Sequence, residues 1–257
     1  MRIAAKIAYQ GKGFCGSQIQ PGVRTVEDAV LTDLARIMDR PREWFRLRMA
    51  GRTDRGVNAL GNVAVFNSDV DDARRLINAL NNVSQDIFYR QFAYVDDAFE
   101  PRHASMREYR YILPADGHDI RKVKECAALF VGEHDFRRFC KKDERSTVIR
   151  IVSAEADTCG DLITIDFRAD HFLWNMIRRM AAAISSVGTG RSSVDDVRRA
   201  LDGEDVSFGL ARPDALFFIG ADYDGVEFVD AVIPKRRIDG DLFRIAMERE
   251  FFERLKQ

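Results

Sequence analysis

The stretch Ala50-Gly51-Arg52-Thr53-Asp54-Arg55-Gly56-Val57 sets one carboxylate between two arginines, with a glycine on either side. Glycines permit a sharp turn and leave room for a ligand to approach the backbone. Neighbouring guanidinium groups favour the ionised acid, so Asp54 is expected to stand as a carboxylate, fit to act as nucleophile or base. Taken alone, the same residues also fit a surface turn closed by an ion pair. A second unusual residue is Arg178. Its neighbours at helical spacing are Trp174, Asn175, Ala181 and Ala182, none acidic, so its partner must come from elsewhere in the fold or from solvent. A third element is Met106-Arg107-Glu108-Tyr109-Arg110-Tyr111-Ile112-Leu113, whose alternation puts Tyr109 and Tyr111 on one face of a strand and Arg110 on the other.

His134-Asp135 and Asp170-His171 invite a metal-dependent hydrolase reading. Adjacent residues seldom converge on one ion, however, and no second cluster has ligand spacing. Cys15, Cys126, Cys140 and Cys159 form no CxxC pair and suggest neither a zinc knuckle nor a disulfide framework. No metal site is therefore expected from these residues.

These residues need elements to position them. Residues 2–9 read as a strand ending in a glycine-rich turn, and Thr25 caps a helix whose buried face carries Val26, Val30, Leu34, Ile37 and Met38, with Asp28 at the capping-box position. A strand near 45–49 delivers the Asp54 loop, Val63–Phe66 carries the chain back, a helix spans about 71–83, and a strand covers 87–94. Strand, helix, strand, strand, helix, strand is a split βαβ order, which builds an antiparallel sheet covered by helices. The pattern restarts near Pro101-Arg102-His103-Ala104. Residues 1–103 are thus expected to form an N-terminal α/β half carrying the Asp54 loop, and 104–257 a C-terminal half with an extension from about 225. The second half is expected to hold a basic-faced helix over 121–131, strands near 147–156 and 162–167, a helix from 172 to 187 with Arg178 on it, a capped helix over 193–201, a strand ending at Tyr223, and a last helix over Asp241–Leu255. The basic triplet Lys235-Arg236-Arg237 reads as solvated.

At 257 residues and 46% apolar, the chain can bury a full core. A net charge of −1 argues against a uniformly basic nucleic-acid protein, but the distribution is uneven. Residues 102–150 carry 12 Lys+Arg against 8 Asp+Glu, and 67–100 carry 3 against 7, so one face could meet phosphate. The N-terminal residues lack the apolar segment of a signal peptide and no later run is long enough to span a bilayer, which points to the cytoplasm and away from a membrane.

Gly51-Arg52-Thr53-Asp54-x-Gly56-Val57, followed by Ala59 and a strand, resembles the central signature of the tRNA pseudouridine synthase A (TruA) family. Four further segments match family motifs in the same order. They are Tyr9-x-Gly11-x-x-Phe14-x-Gly16-x-Gln18, Tyr109 in its strand after Pro101-Arg102-His103-Ala104, Phe172-Leu173-x-x-Met176-Ile177-Arg178, and the Leu210–Tyr223 ending. His134-x-Phe136-x-x-Phe139 resembles another family element, with basic surroundings reaching Lys142. The likeness spans roughly residues 4–223 and departs from the family pattern at Ser17 (commonly Trp), Asn58 (usually His) and Ala215 (usually Gly).

The resemblance implies an α+β pseudouridine synthase fold, with two ferredoxin-like halves forming a mainly antiparallel sheet flanked by helices. It implies isomerisation of uridine to pseudouridine in the anticodon stem-loop of tRNA, at positions 38–40, without a cofactor. Asp54 would be the catalytic carboxylate and Arg178 its guanidinium partner, able to make two parallel hydrogen bonds. Tyr109 would stack on the uracil and mediate loss of the C5 proton, Leu216 would wall the pocket, and Arg52 would contact the RNA backbone beside a flipped nucleotide. A homodimer is also implied, one subunit anchoring the tRNA and the other acting on it. A non-catalytic RNA-binding protein on the same sheets is the competing class, and it has no use for an Asp54–Arg178 pair.

Overall fold

In a computed structural model, which describes residues 1–141 and 146–254, β1 (Arg2–Tyr9) is buried along nearly its whole length. The cause is its place inside the sheet, antiparallel to β3 (Asn58–Asn67) on one side and to β4 (Phe88–Val95) on the other. α1 (Val26–Met38) starts where Thr25 stands extended and its Oγ1 accepts a hydrogen bond from the Asp28 N–H at 3.3 Å. Its buried stripe is Val26, Val30, Leu31, Leu34 and Met38, with Ile37 only half-buried. α2 (Ala73–Val83), capped by Asp72, buries Leu76, Ile77 and Leu80.

The strand expected over 45–49 is mostly a turn. Arg42–Phe45 is a 3-10 turn after Pro41, and Arg46 sits at φ 45°, leaving only β2 (Arg48–Met49) to pair with β3. A fixed proline φ and a left-handed residue break the extended run, while the apolar Phe45 still reaches the core. The first-half order is therefore β4-β1-β3-β2, the split βαβ arrangement.

The second half repeats it. β5 (Met106–Pro114), α3 (Ile120–Ala128), β6 (Gly132–Asp135), β7 (Val148–Cys159), β8 (Leu162–Ala169), α4 (Met176–Gly188), α5 (Val194–Leu201) and β9 (Leu216–Asp222) follow, with sheet order β9-β5-β8-β7-β6. All these pairings are antiparallel. Fully buried Phe130, Phe136, Phe139 and Phe167 fill this half as Phe66, Tyr89 and Ile7 fill the first. Each such side chain stabilises the fold by about 1.5–3 kcal/mol.

One joint matters most for function. β3 and β9 pair in parallel, Asn58 opposite Phe217 and Ala59 opposite Phe218, so the two half-sheets become one. A Cβ on Gly61 would lie 2.4 Å from the Ile219 carbonyl oxygen, so only glycine admits this approach. Both strands begin at the joint. The Asp54 loop, which precedes β3, is thereby set beside Leu216, which opens β9.

Beyond Tyr223 the chain returns to the first half. β10 (Val229–Asp230) pairs with β4, and α6 runs over Lys235–Arg254, beginning earlier than the expected Asp241. Arg237 is not solvated as its triplet suggested. It donates to the carbonyls of Asn81 (3.0 Å), Gln85 (3.1 Å) and Ile87 (3.3 Å) and lies over the Phe88 ring at 4.0 Å, serving carbonyls at and just past the end of α2 that the helix itself leaves open. Lys142 of the basic segment and Leu255 at the expected helix end lie outside the described residues. Among the described residues, no helix is long and apolar enough to cross a membrane.

Candidate active site

The Asp54 loop is held by neutral, buried hydrogen bonds. Asn62, fully buried on β3, donates to the Gly51 carbonyl at 3.0 Å and to the Tyr9 hydroxyl at 3.1 Å, and accepts from the Gly51 N–H at 3.3 Å. The Tyr9 hydroxyl meets Thr53 Oγ1 at 2.9 Å. Ser17 Oγ accepts from the Thr53 N–H at 2.8 Å, and the Ser17 N–H donates to the Thr53 carbonyl at 3.0 Å. The departure at Ser17 therefore bears directly on the residue next to Asp54. Gly11 completes the cradle, since a Cβ there would lie 2.3 Å from the carbonyl carbon of Gly56.

Asn58 and Ala215 also have an account. Asn58 accepts from the Gly11 N–H at 2.9 Å and donates to the Asp214 carbonyl at 2.8 Å, linking the loop to the turn before β9. Ala215 ends a 3-10 turn without entering the left-handed region, so it needs no glycine.

Asp54 receives its partners from the second half. Arg178 Nη1 donates to Asp54 Oδ2 at 3.1 Å, across 124 residues of sequence, and the Trp174 indole N–H donates to Oδ1 at 3.2 Å. The bidentate pair expected of Arg178 does not form. Its Nε donates instead to the Ala211 carbonyl at 2.8 Å, which ties the guanidinium to the chain leading into β9. The helix expected from 172 starts only at Met176, because Asn175 is left-handed at φ 63°. Asparagine tolerates that conformation better than most residues. The turn frees Trp174 from the helix and lets it reach Asp54 beside Arg178. Arg52 and Arg55, the arginines that frame Asp54 in sequence, are both exposed and pair with no acid among the described residues.

Tyr109 lies beside this pair. Its ring stacks on Phe218 at 4.6 Å and meets Phe172 edge-on at 5.3 Å, and the space above Gly51 is filled by Phe218 and the Tyr109 hydroxyl. Burial pushes the Tyr109 phenol above its ordinary range, with Tyr9 and the Asp54 carboxylate adding to the rise against Arg107. It is thus a neutral phenol at physiological pH, a donor and relay rather than a ready phenolate. Arg107, on the same strand face, is buried and donates to the carbonyls of Arg102 and Asp170.

Asp54, Tyr109, Arg178, Leu216 and Arg52 all line one cavity of about 850 Å³. The five site residues that the family resemblance implies are therefore brought together, whereas His134, Asp135 and Asp170 do not line this cavity. Arg55, Arg102 and Arg107 line it too, so five arginines surround a single carboxylate. Such a mouth suits a polyanion.

A family model described as tRNA pseudouridine synthase matches residues 126–224. The chain is 38% identical over 234 residues to the tRNA pseudouridine synthase A of Pyrococcus abyssi, covering 89% of this chain and 87% of that one. The chain belongs to the tRNA pseudouridine synthase A family. Proteins of the same name from Pyrococcus horikoshii (36% over 265 residues, 99% and 95% covered) and Methanosarcina mazei (40% over 196 residues, 74% and 72% covered) agree. One solved structure, of a Cbf5-Nop10-Gar1 complex, is 12% identical with a TM-score of 0.33, covering 72% of this chain and 54% of that one, a likeness too slight to carry weight.

Within this isomerase family frame, the remaining polar motifs have structural uses. Asp135 is lowered to about 2 chiefly by its hydrogen bonds with Arg137, accepts from Thr147 Oγ1 at 2.6 Å, and caps a 3-10 turn. His134 contacts the Val131 carbonyl at 3.1 Å, and His171 pairs with Asp170 at 2.8 Å. Among the described residues no three His, Cys, Asp or Glu side chains converge to hold a metal ion. Trp174, Asn62, Phe218 and Arg107 were not named as site residues from the sequence, and Tyr9 and Ser17 entered only through the motif that surrounds them. Of the four, Arg107 left a readable signal, sharing the period-two face of Tyr109.

Proposed function

We propose that this chain isomerises uridine to pseudouridine in tRNA, at the anticodon stem-loop, with Asp54 as the catalytic carboxylate. The observation that carries the reading is the Asp54 side chain held at 3.1 Å by Arg178 inside a cavity that Tyr109 and Leu216 also line. The reaction breaks the bond from ribose C1′ to N1, turns the base, joins C5 to C1′, and ends with C5 losing a proton and N1 holding one, so that product and substrate are isomers. Asp54 acts on the glycosidic bond, and Arg178 keeps it ionised and aimed into the cavity.

Tyr109 packs against the uracil and relays the C5 proton, giving up its own hydroxyl proton as it takes that one, a role suited to a phenol that burial keeps neutral. Leu216, buried at the start of β9, supplies an apolar wall that limits water. Arg52, exposed at the mouth, meets the phosphate beside the flipped nucleotide. Residues 1–103 and 104–257 act as the two halves of one enzyme. The family resemblance further supports a homodimer working in the cytoplasm. Incubation with unmodified tRNA followed by chemical mapping of pseudouridine tests both activity and site choice. Conversion in the anticodon stem-loop is expected, and an unmodified transcript after complete incubation contradicts the reading.

A further inference from the structure

Two donors from one short piece of chain occupy the two oxygens of Asp54. Arg178 takes Oδ2 and Trp174 takes Oδ1. A carboxylate held through one oxygen can still turn about its last bond; a second donor on the other oxygen removes that freedom. Trp174 is itself held in place. Its ring lies 3.8 Å from Lys141 Nζ, its carbonyl accepts from the Lys141 N–H at 2.8 Å, and the left-handed Asn175 beside it keeps it outside α4. The indole is nevertheless 48% exposed, so burial in the core does not explain this clamping.

We propose that Trp174 is a positioning residue, which fixes the plane of the Asp54 carboxylate through its indole N–H. The inference rests on Asp54 being the catalytic group. The ammonium of Lys141 over the ring keeps the indole at the cavity wall, and it draws electron density from the ring, which strengthens the N–H as a donor.

Single-turnover conversion of unmodified tRNA, measured beside tRNA binding, tests this with Trp174→Phe and Trp174→His. Phenylalanine keeps an aromatic ring without the donor; an imidazole overlays the five-membered ring of the indole and can keep an N–H near the same place. Trp174→Phe is expected to lower the rate roughly tenfold, the worth of one hydrogen bond to a charged group, with tRNA affinity unchanged. Trp174→His is expected to recover most of that loss. A wild-type rate in Trp174→Phe, a loss confined to affinity, or no recovery in Trp174→His overturns the proposal. The chain has two tryptophans, so a Trp44→Phe background leaves Trp174 as the lone reporter. Asp54→Ala in that background is expected to shift its emission, and an unchanged spectrum counts against the contact. Conversion by Asp54→Asn would defeat the functional reading itself, whereas an inactive Asp54→Asn beside an unaffected Trp174→Phe would defeat only the role of Trp174.

Discussion

Asp54 is supported from two sides that are built in different ways. The first half holds its loop with Asn62, Tyr9, Thr53 and Ser17, all buried, neutral and hydrogen-bonded to one another or to loop backbone. The second half reaches it with single hydrogen bonds from Arg178 and Trp174 at the entry to α4, onto a carboxylate whose side chain is 35% exposed. The first arrangement belongs to folding, because it satisfies backbone and hydroxyl groups that would otherwise be buried without partners. The second is not required by the fold, because it sets charge against a half-exposed group, and under the proposed function it serves the chemistry. Placement of the loop and aim of the carboxylate are thus separable properties of the chain.

Substitutions on each side should leave different signatures. Arg178→Ala removes the guanidinium that aims Asp54, and pseudouridine formation should fall by roughly a hundredfold or more, in a single-turnover assay, with the melting temperature little changed. A comparable loss of stability would place Arg178 with the folding network instead. Asn62→Ala should do the reverse, lowering stability by about 2–3 kcal/mol in chemical denaturation because it strips partners from Gly51 and Tyr9, with activity following the folded fraction.

The buried phenols sharpen the same division through pH. Burial raises Tyr9, Tyr89 and Tyr109 above the ordinary phenol value and pushes Tyr111 up to about 12. A folded-state value above the unfolded one stabilises fully below the unfolded value and loses that contribution as pH rises toward the folded value. Stability measured by denaturant should therefore decline as pH climbs past about 10, the unfolded phenol value. The smallest effect is expected at the exposed rim. Arg52→Ala should weaken tRNA binding a few-fold and reduce the slope of log affinity against log salt by about one.

Much of this arrangement is legible in the sequence. Apolar periodicity located α1 and α2, and the repeated strand–helix order anticipated two similar halves. The absence of acidic neighbours around Arg178 pointed to a distant partner, and that partner is Asp54. Trp174 was hidden because its role depends on where α4 begins. The helical spacing of Leu173, Ile177, Met180 and Ile184 concealed the left-handed Asn175, and one residue of helix register decides which side chains face the cavity. Ser17 and Asn62 were hidden for another reason, since short polar residues in and beside strands look alike whether they face water or bind a loop. Arg237 sat in a basic triplet whose composition suggested solvent, and only the return of the tail to α2 and β4 shows the carbonyls it serves.

The most direct test of the central claim is the single-turnover conversion of unmodified tRNA by Asp54→Asn, an uncharged near-isostere, with binding of the same tRNA measured in parallel. Conversion is expected to fall by roughly 10⁴-fold or more while the tRNA is still bound, because the loop that positions the residue does not depend on its charge. Turnover within a few-fold of the unmodified enzyme would contradict the account.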